Sequence, residues 1–224
     1  MIINTFSDFC SILRNIGFAV SASNDEGIFN LNRYYSEKIR HHTGDSETDP
    51  WEWRIRSVTE CDDIAYAKVF NSKGGWITKE WYPYFYAIRR NGYDLDEMYS
   101  DGLISGMERD VYNVICESGE IAMHDIKRIL NISRESNSKY ETTLVKLQMK
   151  MFITICGETH KISKIGKPKG WGINVFTPVE NFFSDIKIID RETAIEKITE
   201  RILEINPLAS DKNIKRFLNL EGVK

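Results

Sequence analysis

The amino-acid sequence predicts an α+β, helix-rich fold that contains winged helix-turn-helix units with small antiparallel β-ribbons. Between Ser105 and Phe176, three helical segments precede short β-prone segments with a basic, glycine-containing tip. This order of elements is typical of a winged helix. In the third helical segment, apolar side chains recur at the spacing i, i+4, i+7 and i+11, which predicts one buried helix face. These side chains are Tyr140, Leu144, Leu147 and Met151.

Length and composition are those of an ordinary globular protein. The chain has 224 residues, 42% of them hydrophobic and 28% charged, enough for one large domain or two small ones. Its four cysteines lie far apart without a CxxC spacing, which argues against a disulfide framework or a zinc site. It has no leader-like N-terminus and no apolar run of about 18 residues. We therefore expect a cytoplasmic protein without a membrane segment, metal or cofactor.

Charge is distributed unevenly along the chain. The formal net charge is -3 and the pI is near 5.9, so the whole protein has no nucleic-acid signature. Residues 124–172, however, hold ten basic and four acidic side chains, a local charge of +6 that leaves -9 for the remainder. This asymmetry indicates that a polyanion would meet one face only.

The N-terminal region, residues 1–102, is aromatic-rich and is predicted to be a degenerate winged unit. Asp49 and Pro50 suit the N-cap and first position of a helix, on which Trp51, Ile55 and Val58 are expected to be buried and Trp53 to face the other side. The predicted elements are helices over 5–16, 31–42 (weakly patterned), from Pro50, and from 78–79 to Gly92, a loop over 18–28, and strands over 64–70 and from Trp76.

The winged-helix domain is predicted over residues 103–180, and a C-terminal helical segment that packs on the core is predicted over 181–224. Glycine at 119 suits the end of the first helix, and Pro207 stops the long amphipathic helix of the C-terminal segment. The predicted elements are helices over 105–118, 121–130 and from 136–138, strands over 152–156, 160–165 and 173–176, a turn over 157–159, a tip over 166–172, and C-terminal helices over 191–205 and from Ser210.

The basic side chains of the winged unit are the first candidate site. They could neutralise the phosphates of duplex DNA, whereas base reading has few donors, because the third helix offers only Asn137 and Gln148 and no arginine. A solvated face or a protein-binding face is the alternative. The predicted nucleic-acid-binding residues are Lys127, Arg128, Asn137, Ser138, Lys139, Lys146, Lys150, Lys164, Lys167 and Lys169.

An aromatic cluster beside arginines in the N-terminal region is the second candidate site. Such residues could form a pocket that stacks a flipped base, although a plain core is the favoured interpretation because tryptophan and tyrosine usually bury most of their area. The residues of this predicted pocket are Trp51, Trp53, Arg54, Trp81, Tyr84 and Arg89.

No catalytic constellation is apparent in the sequence. The chain has no GxSxG, P-loop or GxGxxG motif and no metal-ligand spacing. Its histidines are His41, His42, His124 and His160, and their spacing predicts no dyad or triad. The balance favours a non-enzymatic protein.

Three runs of residues resemble a known family. They are Asp49-Pro50-Trp51-Glu52-Trp53-Arg54, Ile64-Ala65-Tyr66-Ala67-Lys68, and Thr78-Lys79-Glu80-Trp81-Tyr82-Pro83-Tyr84-Phe85 followed by Arg89-Arg90. They resemble AlkZ-related proteins, over nearly the whole chain. These are similar to AlkZ-type DNA glycosylases, which are built from tandem winged-helix units and excise alkylated or crosslinked purines. The resemblance implies a winged-helix fold and a role in DNA repair.

The catalytic motif of the AlkZ-type glycosylases is missing from this sequence. AlkZ-type enzymes use a Gln-x-Gln or Gln-x-Asp motif after the first N-terminal helix to position water, and the matching residues 17–24 contain no glutamine. Gln148 is the single glutamine of the chain. The sequence thus leaves three hypotheses, a non-enzymatic duplex-DNA binder, a glycosylase that uses Asn24, Asp25 or a carboxylate near the tryptophans, and a protein-interaction module. It does not determine the oligomeric state.

Overall fold

The structure is a computed structural model that describes residues 2–21, 28–162 and 168–220. The helices are α1 Phe6–Ile16, α2 Pro50–Glu60, α3 Tyr82–Arg90, α4 Leu95–Ser100, α5 Gly106–Ser118, α6 Met123–Ile129, α7 Asn137–Met149, α8 Val179–Phe182, α9 Arg191–Ile205 and α10 Asp211–Phe217, with a 3-10 turn at Leu31–Tyr34. The strands are β1 Phe18–Val20, β2 Ile64–Phe70, β3 Lys73–Thr78, β4 Ile121–Ala122, β5 Ile153–Ile162 and β6 Pro168–Pro178. The predicted α+β, helix-rich class is confirmed.

The described strands form one antiparallel sheet in the order β1-β3-β2-β5-β6-β4. The pairing of Tyr66 in β2 with Ile155 in β5 joins the strands that precede residue 102 to those that follow it. Buried apolar side chains from both parts, and from α9 and α10, make one continuous cluster. The division at residue 102 stays a prediction, and the sheet runs across it.

Helix α7 has the buried face that its sequence pattern predicts. Tyr140, Leu144, Leu147 and Met151 are each at most 3% exposed. The helix lies between α5 and β2 and packs on both. The prediction for this helix is confirmed.

Several predicted element boundaries were wrong, because pairing between strands decided them. Residues 18–20 form β1 beside β3, and residues 121–122 pair with β6, so α6 begins only at Met123. Strand β5 continues through 157–159, where a turn was predicted, and β6 includes residues 168–172 of the predicted tip. The weak helix over 31–42 is limited to one 3-10 turn.

The predicted orientation of α2 was wrong for Trp51 and Trp53, whereas Val58 is buried as predicted. Trp53 is fully buried, and its ring lies 5.0 Å from that of Phe9 and 5.9 Å from that of Tyr35. Trp51, predicted to be buried, is only half-buried and faces the β5–β6 hairpin. The apolar side of α2 is thus set by α1 and the 3-10 turn, which cover Trp53 rather than Trp51.

Candidate nucleic-acid interface

Two lysines of α7 remain free for an outside partner. Lys139 and Lys146 are exposed, and neither has an ion pair with another described residue. Ser138 is exposed on the same helix, one residue or about 100° of rotation from Lys139. The outer face of α7 therefore presents two unneutralised cations beside a hydroxyl group.

Lys150 has a different role from the one predicted. Its Nζ lies 2.7 Å from Oε1 of Glu108, which is 2% exposed. Burial raises the pKa of Glu108, but hydrogen bonds from Lys150 and Ser105 outweigh it and hold this pKa below its usual value. Lys150 is therefore committed to the contact between α7 and α5, not to an exposed phosphate-binding surface.

The other predicted contacts are divided between paired and exposed side chains. Lys127 donates a hydrogen bond to Asn137, whose amide donates to Glu141, and Arg128 lies 2.8 Å from Asp125. Lys169 is exposed on β6, directly opposite Lys161 of β5. Lys164 and Lys167 lie outside the described residues, as do Asn24 and Asp25.

The single glutamine has a structural role. Gln148 is buried, its Oε1 accepts a hydrogen bond from the backbone N–H of Lys68 (3.0 Å), and its Nε2 donates to the carbonyl of Leu144 (2.9 Å). Both ends of the amide are thus used in joining α7 to β2. Gln148 is 2% exposed and held between α7 and β2 by both ends of its amide.

A cleft of about 640 Å³ lies where α2 meets the hairpin. Trp171 of β6 is 72% exposed, and its ring lies 5.8 Å from that of Trp51 at an interplanar angle of 78°. The ring of His42 lies 5.0 Å from Trp51 and 6.1 Å from Trp171. Three aromatic rings therefore form one wall of this Trp51–Trp171 cleft.

An arginine–glutamate pair also lines the cleft. The guanidinium carbon of Arg54 lies 3.4 Å from the ring centroid of Trp51, a stacked cation–π contact. Its Nη2 is 3.8 Å from Oε2 of Glu158, whose Oε1 is 3.3 Å from Nε2 of His160. A Cβ atom on Gly172 would collide with the Glu158 carboxylate. The lack of a side chain at position 172 therefore makes room for this carboxylate.

The Asp49 carboxylate links the loop that carries His42 to the start of α2. Its carboxylate accepts hydrogen bonds from the backbone N–H groups of Thr43 (2.7 Å), Gly44 (3.0 Å) and Trp51 (2.8 Å). Burial raises the pKa of Asp49, but these backbone hydrogen bonds outweigh it and leave the pKa below its usual value. The same side chain thus caps α2 and fastens the loop that carries His42 beside Trp51.

A groove along α7 leads into the cleft. A second concavity of about 320 Å³ lies between α7 and the sheet, and Ser138, Glu141 and Thr142 contribute to its lining. Lys68 and Asn174 line both concavities. Lys68 is the one exposed residue of β2, and because it lines both concavities it lies where the groove and the cleft adjoin.

The structure does not bring the six predicted pocket residues together. Trp51 and Arg54 line the cleft, whereas Trp53 is in the core. Trp81 packs over Gly17 and Phe18, and Tyr84 lines a separate cavity beside Phe183. Arg89 is buried and donates to the carbonyls of Val69 (3.2 Å) and Phe217 (2.9 Å). The side chains of α2 and α3 thus line different parts of the structure, and nearness in sequence did not make one pocket.

Five residues of the cleft and its entrance were not predicted as site residues. They are His42, Lys68, Glu158, Trp171 and Asn174. A usable signal existed for Trp171, which stands between Gly170 and Gly172 within the predicted basic tip. A large aromatic side chain in such a segment has few neighbours to cover it. No comparable signal marks the other four, because they come from separate elements.

Among the described residues, no three histidine, cysteine, aspartate or glutamate side chains are placed to hold a metal ion. The described part of the chain also has no helix with the length and apolar character needed to cross a membrane.

The Sγ atoms of Cys10 and Cys61 lie 3.7 Å apart as free thiols, and burial, with the neighbouring Cys61, raises the pKa of Cys10 to about 12.

Comparisons with known proteins give one structural likeness and one family. No curated protein matches the chain. The DNA glycosylase AlkZ of Streptomyces sahachiroi is similar at 11% identity and a TM-score of 0.40, over 78% of this chain and 52% of that one, so this chain corresponds to about half of the glycosylase. The family model described as AlkZ related matches residues 3–219. The chain belongs to the AlkZ-related family.

Proposed function

We propose that the protein binds duplex DNA through a winged helix in which α5, α6 and α7 precede the β5–β6 hairpin as the wing. The observation that carries this proposal is the pair of unneutralised lysines on the outer face of α7, Lys139 and Lys146. In a winged helix the corresponding face of the third helix approaches the major groove. Membership of the AlkZ-related family supports a DNA-related role.

The hairpin adds a second basic surface. Lys161 and Lys169 stand directly opposite each other on neighbouring strands. Like charges in that position lower the stability of a sheet, and a phosphate placed between them would remove the repulsion. Because the contacts are lysines rather than arginines, binding is expected to be strong at low salt and weakly dependent on base sequence.

Changing both Lys139 and Lys146 to alanine is expected to weaken duplex binding to a similar extent for unrelated sequences. The slope of log affinity against log salt is negative, and each lost phosphate contact should make it shallower by about 0.9. Fluorescence anisotropy with two labelled duplexes over a range of salt concentrations measures both quantities. Lys212→Ala, an exposed lysine on α10, is the matched control and should leave both unchanged. Wild-type protein with no duplex affinity at low salt would contradict the proposal.

A second candidate function is base excision by a site that contains no glutamine. One observation favours it, namely that the Glu158 carboxylate lines the same cleft as Trp51 and Trp171 and lies 3.8 Å from Arg54. A carboxylate in such a place can orient and deprotonate a water molecule.

If the second candidate is right, wild-type protein incubated with alkylated duplex will release bases and leave abasic sites. Glu158→Gln keeps the size of the side chain but cannot accept a proton, so it should abolish release while leaving duplex affinity nearly unchanged. The readout is strand cleavage at abasic sites after alkali treatment. Intact strands after prolonged incubation with the wild type would eliminate this candidate.

A further inference from the structure

We propose that the Trp51–Trp171 cleft accepts one unpaired nucleobase, with a preference for guanine. This inference rests on the proposed function, because it assigns a ligand to the cleft beside the DNA-binding surface. The ligand follows from three features, namely an open aromatic face, a carboxylate within the cleft and a path from α7.

The aromatic wall has one open stacking surface. One face of Trp51 is covered by the Arg54 guanidinium at 3.4 Å. The interplanar angles between the Trp171 ring and the rings of Trp51 and His42 are 78° and 84°, so these contacts are edge to face rather than stacked. Trp171 is 72% exposed. Base–aromatic stacking needs only such a face and is worth about 1 to 3 kcal/mol per base.

The Glu158 carboxylate of the cleft distinguishes among bases. Glu158 lies in the cleft as an acceptor, and its carboxylate has more acceptor sites than its contacts with Arg54 and His160 use. Guanine presents two adjacent donors on its Watson–Crick edge, N1–H and N2–H, which match two carboxylate oxygens. Thymine presents a single N3–H between two carbonyl oxygens, which the carboxylate repels. The cleft should therefore favour guanine over thymine.

The groove provides the approach for such a base. It passes from Ser138 and Thr142 of α7 to Lys68 and then into the cleft. The ammonium group of Lys68 is placed to contact a phosphate at the point where a base would leave the strand. In a paired duplex the Watson–Crick edges are already occupied, so only a bulged, mismatched or single-stranded base can reach Glu158.

The test compares three duplexes by anisotropy, namely one fully paired, one with a single bulged guanine and one with a single bulged thymine. Wild-type protein should bind the guanine bulge about 5- to 150-fold more tightly than the paired duplex and about tenfold more tightly than the thymine bulge. Trp171→Ala should remove the gain from either bulge without changing affinity for the paired duplex. Trp171→Phe should keep most of the higher affinity for bulged over paired duplex. Glu158→Gln should reduce the preference for the guanine bulge over the thymine bulge, but both bulges should still bind more tightly than the paired duplex.

The controls separate this inference from the proposed function. Lys139→Ala with Lys146→Ala should weaken binding to all three duplexes equally, and Tyr99→Ala, an exposed aromatic outside the cleft, should change none. Equal affinity of the wild type for paired and bulged duplexes would overturn the inference and leave duplex binding intact. If no duplex is bound, the affinity for single-stranded oligothymidine is measured with and without one central guanine. Equal affinity for the two oligonucleotides overturns the inference.

Discussion

Trp53→Ala is expected to lower the free energy of unfolding by about 3 to 5 kcal/mol, the usual cost of truncating a buried tryptophan. Trp53 is fully buried, packs on Phe6, Phe9 and Tyr35, and donates from Nε1 to the carbonyl of Ser46. Its removal leaves a cavity among rings contributed by α1 and the 3-10 turn. The variant also loses the hydrogen bond that fixes the loop before α2.

The matched control is Trp51→Ala, two residues away on the same helix. Trp51 is half-buried, and its neighbours are the exposed Trp171 and His42 and the partly buried Arg54, so its truncation should cost only about 1 kcal/mol. Urea unfolding followed by circular dichroism measures both values. Equal losses for the two variants would mean that α2 faces the core differently from the arrangement described above.

Lys150→Met is expected to lower the free energy of unfolding by about 1.5 to 3 kcal/mol at pH 7, because it leaves the buried Glu108 carboxylate without its cation. The same change should alter duplex affinity much less than Lys139→Ala with Lys146→Ala. Lys150 lies 2.7 Å from Glu108, so its charge is already neutralised within the fold.

The effect of Lys150→Met should depend on pH. In the wild type, hydrogen bonds from Lys150 and Ser105 hold the pKa of Glu108 below its usual value of 4.5 against the opposing effect of burial. A lowered pKa contributes stability above the unfolded-state pKa, and this stability is lost as pH falls through the folded-state value. Without Lys150 the burial effect raises the pKa, so the difference between the variant and the wild type should shrink below about pH 4. Unfolding at pH 7, 4 and 3 measures it, and a constant difference would argue against this linkage.

The elements predicted best were those whose residues interact locally. The apolar face of α7 follows from its own spacing, and the start of α2 follows from Asp49 and Pro50, which act within one helical turn. Both predictions hold in the structure. The same local rules failed for α2, because Trp51 and Trp53 are both apolar enough to be buried, and only the packing of α1 on Trp53 decides between them.

Predicted site residues failed wherever a partner from another element changed their role. Lys150 is a basic residue on an edge of α7 in the sequence, but Glu108, 42 positions earlier, neutralises it. Arg89 stands beside a tryptophan-rich run, yet its Nη2 donates to carbonyls in β2 and at the end of α10. Such pairings join residues far apart in sequence, and no periodicity or spacing reveals them.

The sequence by itself determined the helix-rich α+β class, the buried stripe of α7, the concentration of positive charge in residues 124–172 and membership of the AlkZ-related family. These depend on composition, on periodicity within single elements and on residue runs. The tertiary structure alone decided that Lys139 and Lys146 make no ion pair with another described residue whereas Lys150 does, and it alone assembled Trp51, Arg54, Glu158 and Trp171 into one cleft. Those outcomes depend on α2 meeting the β5–β6 hairpin across the sheet, a contact between segments about 100 residues apart.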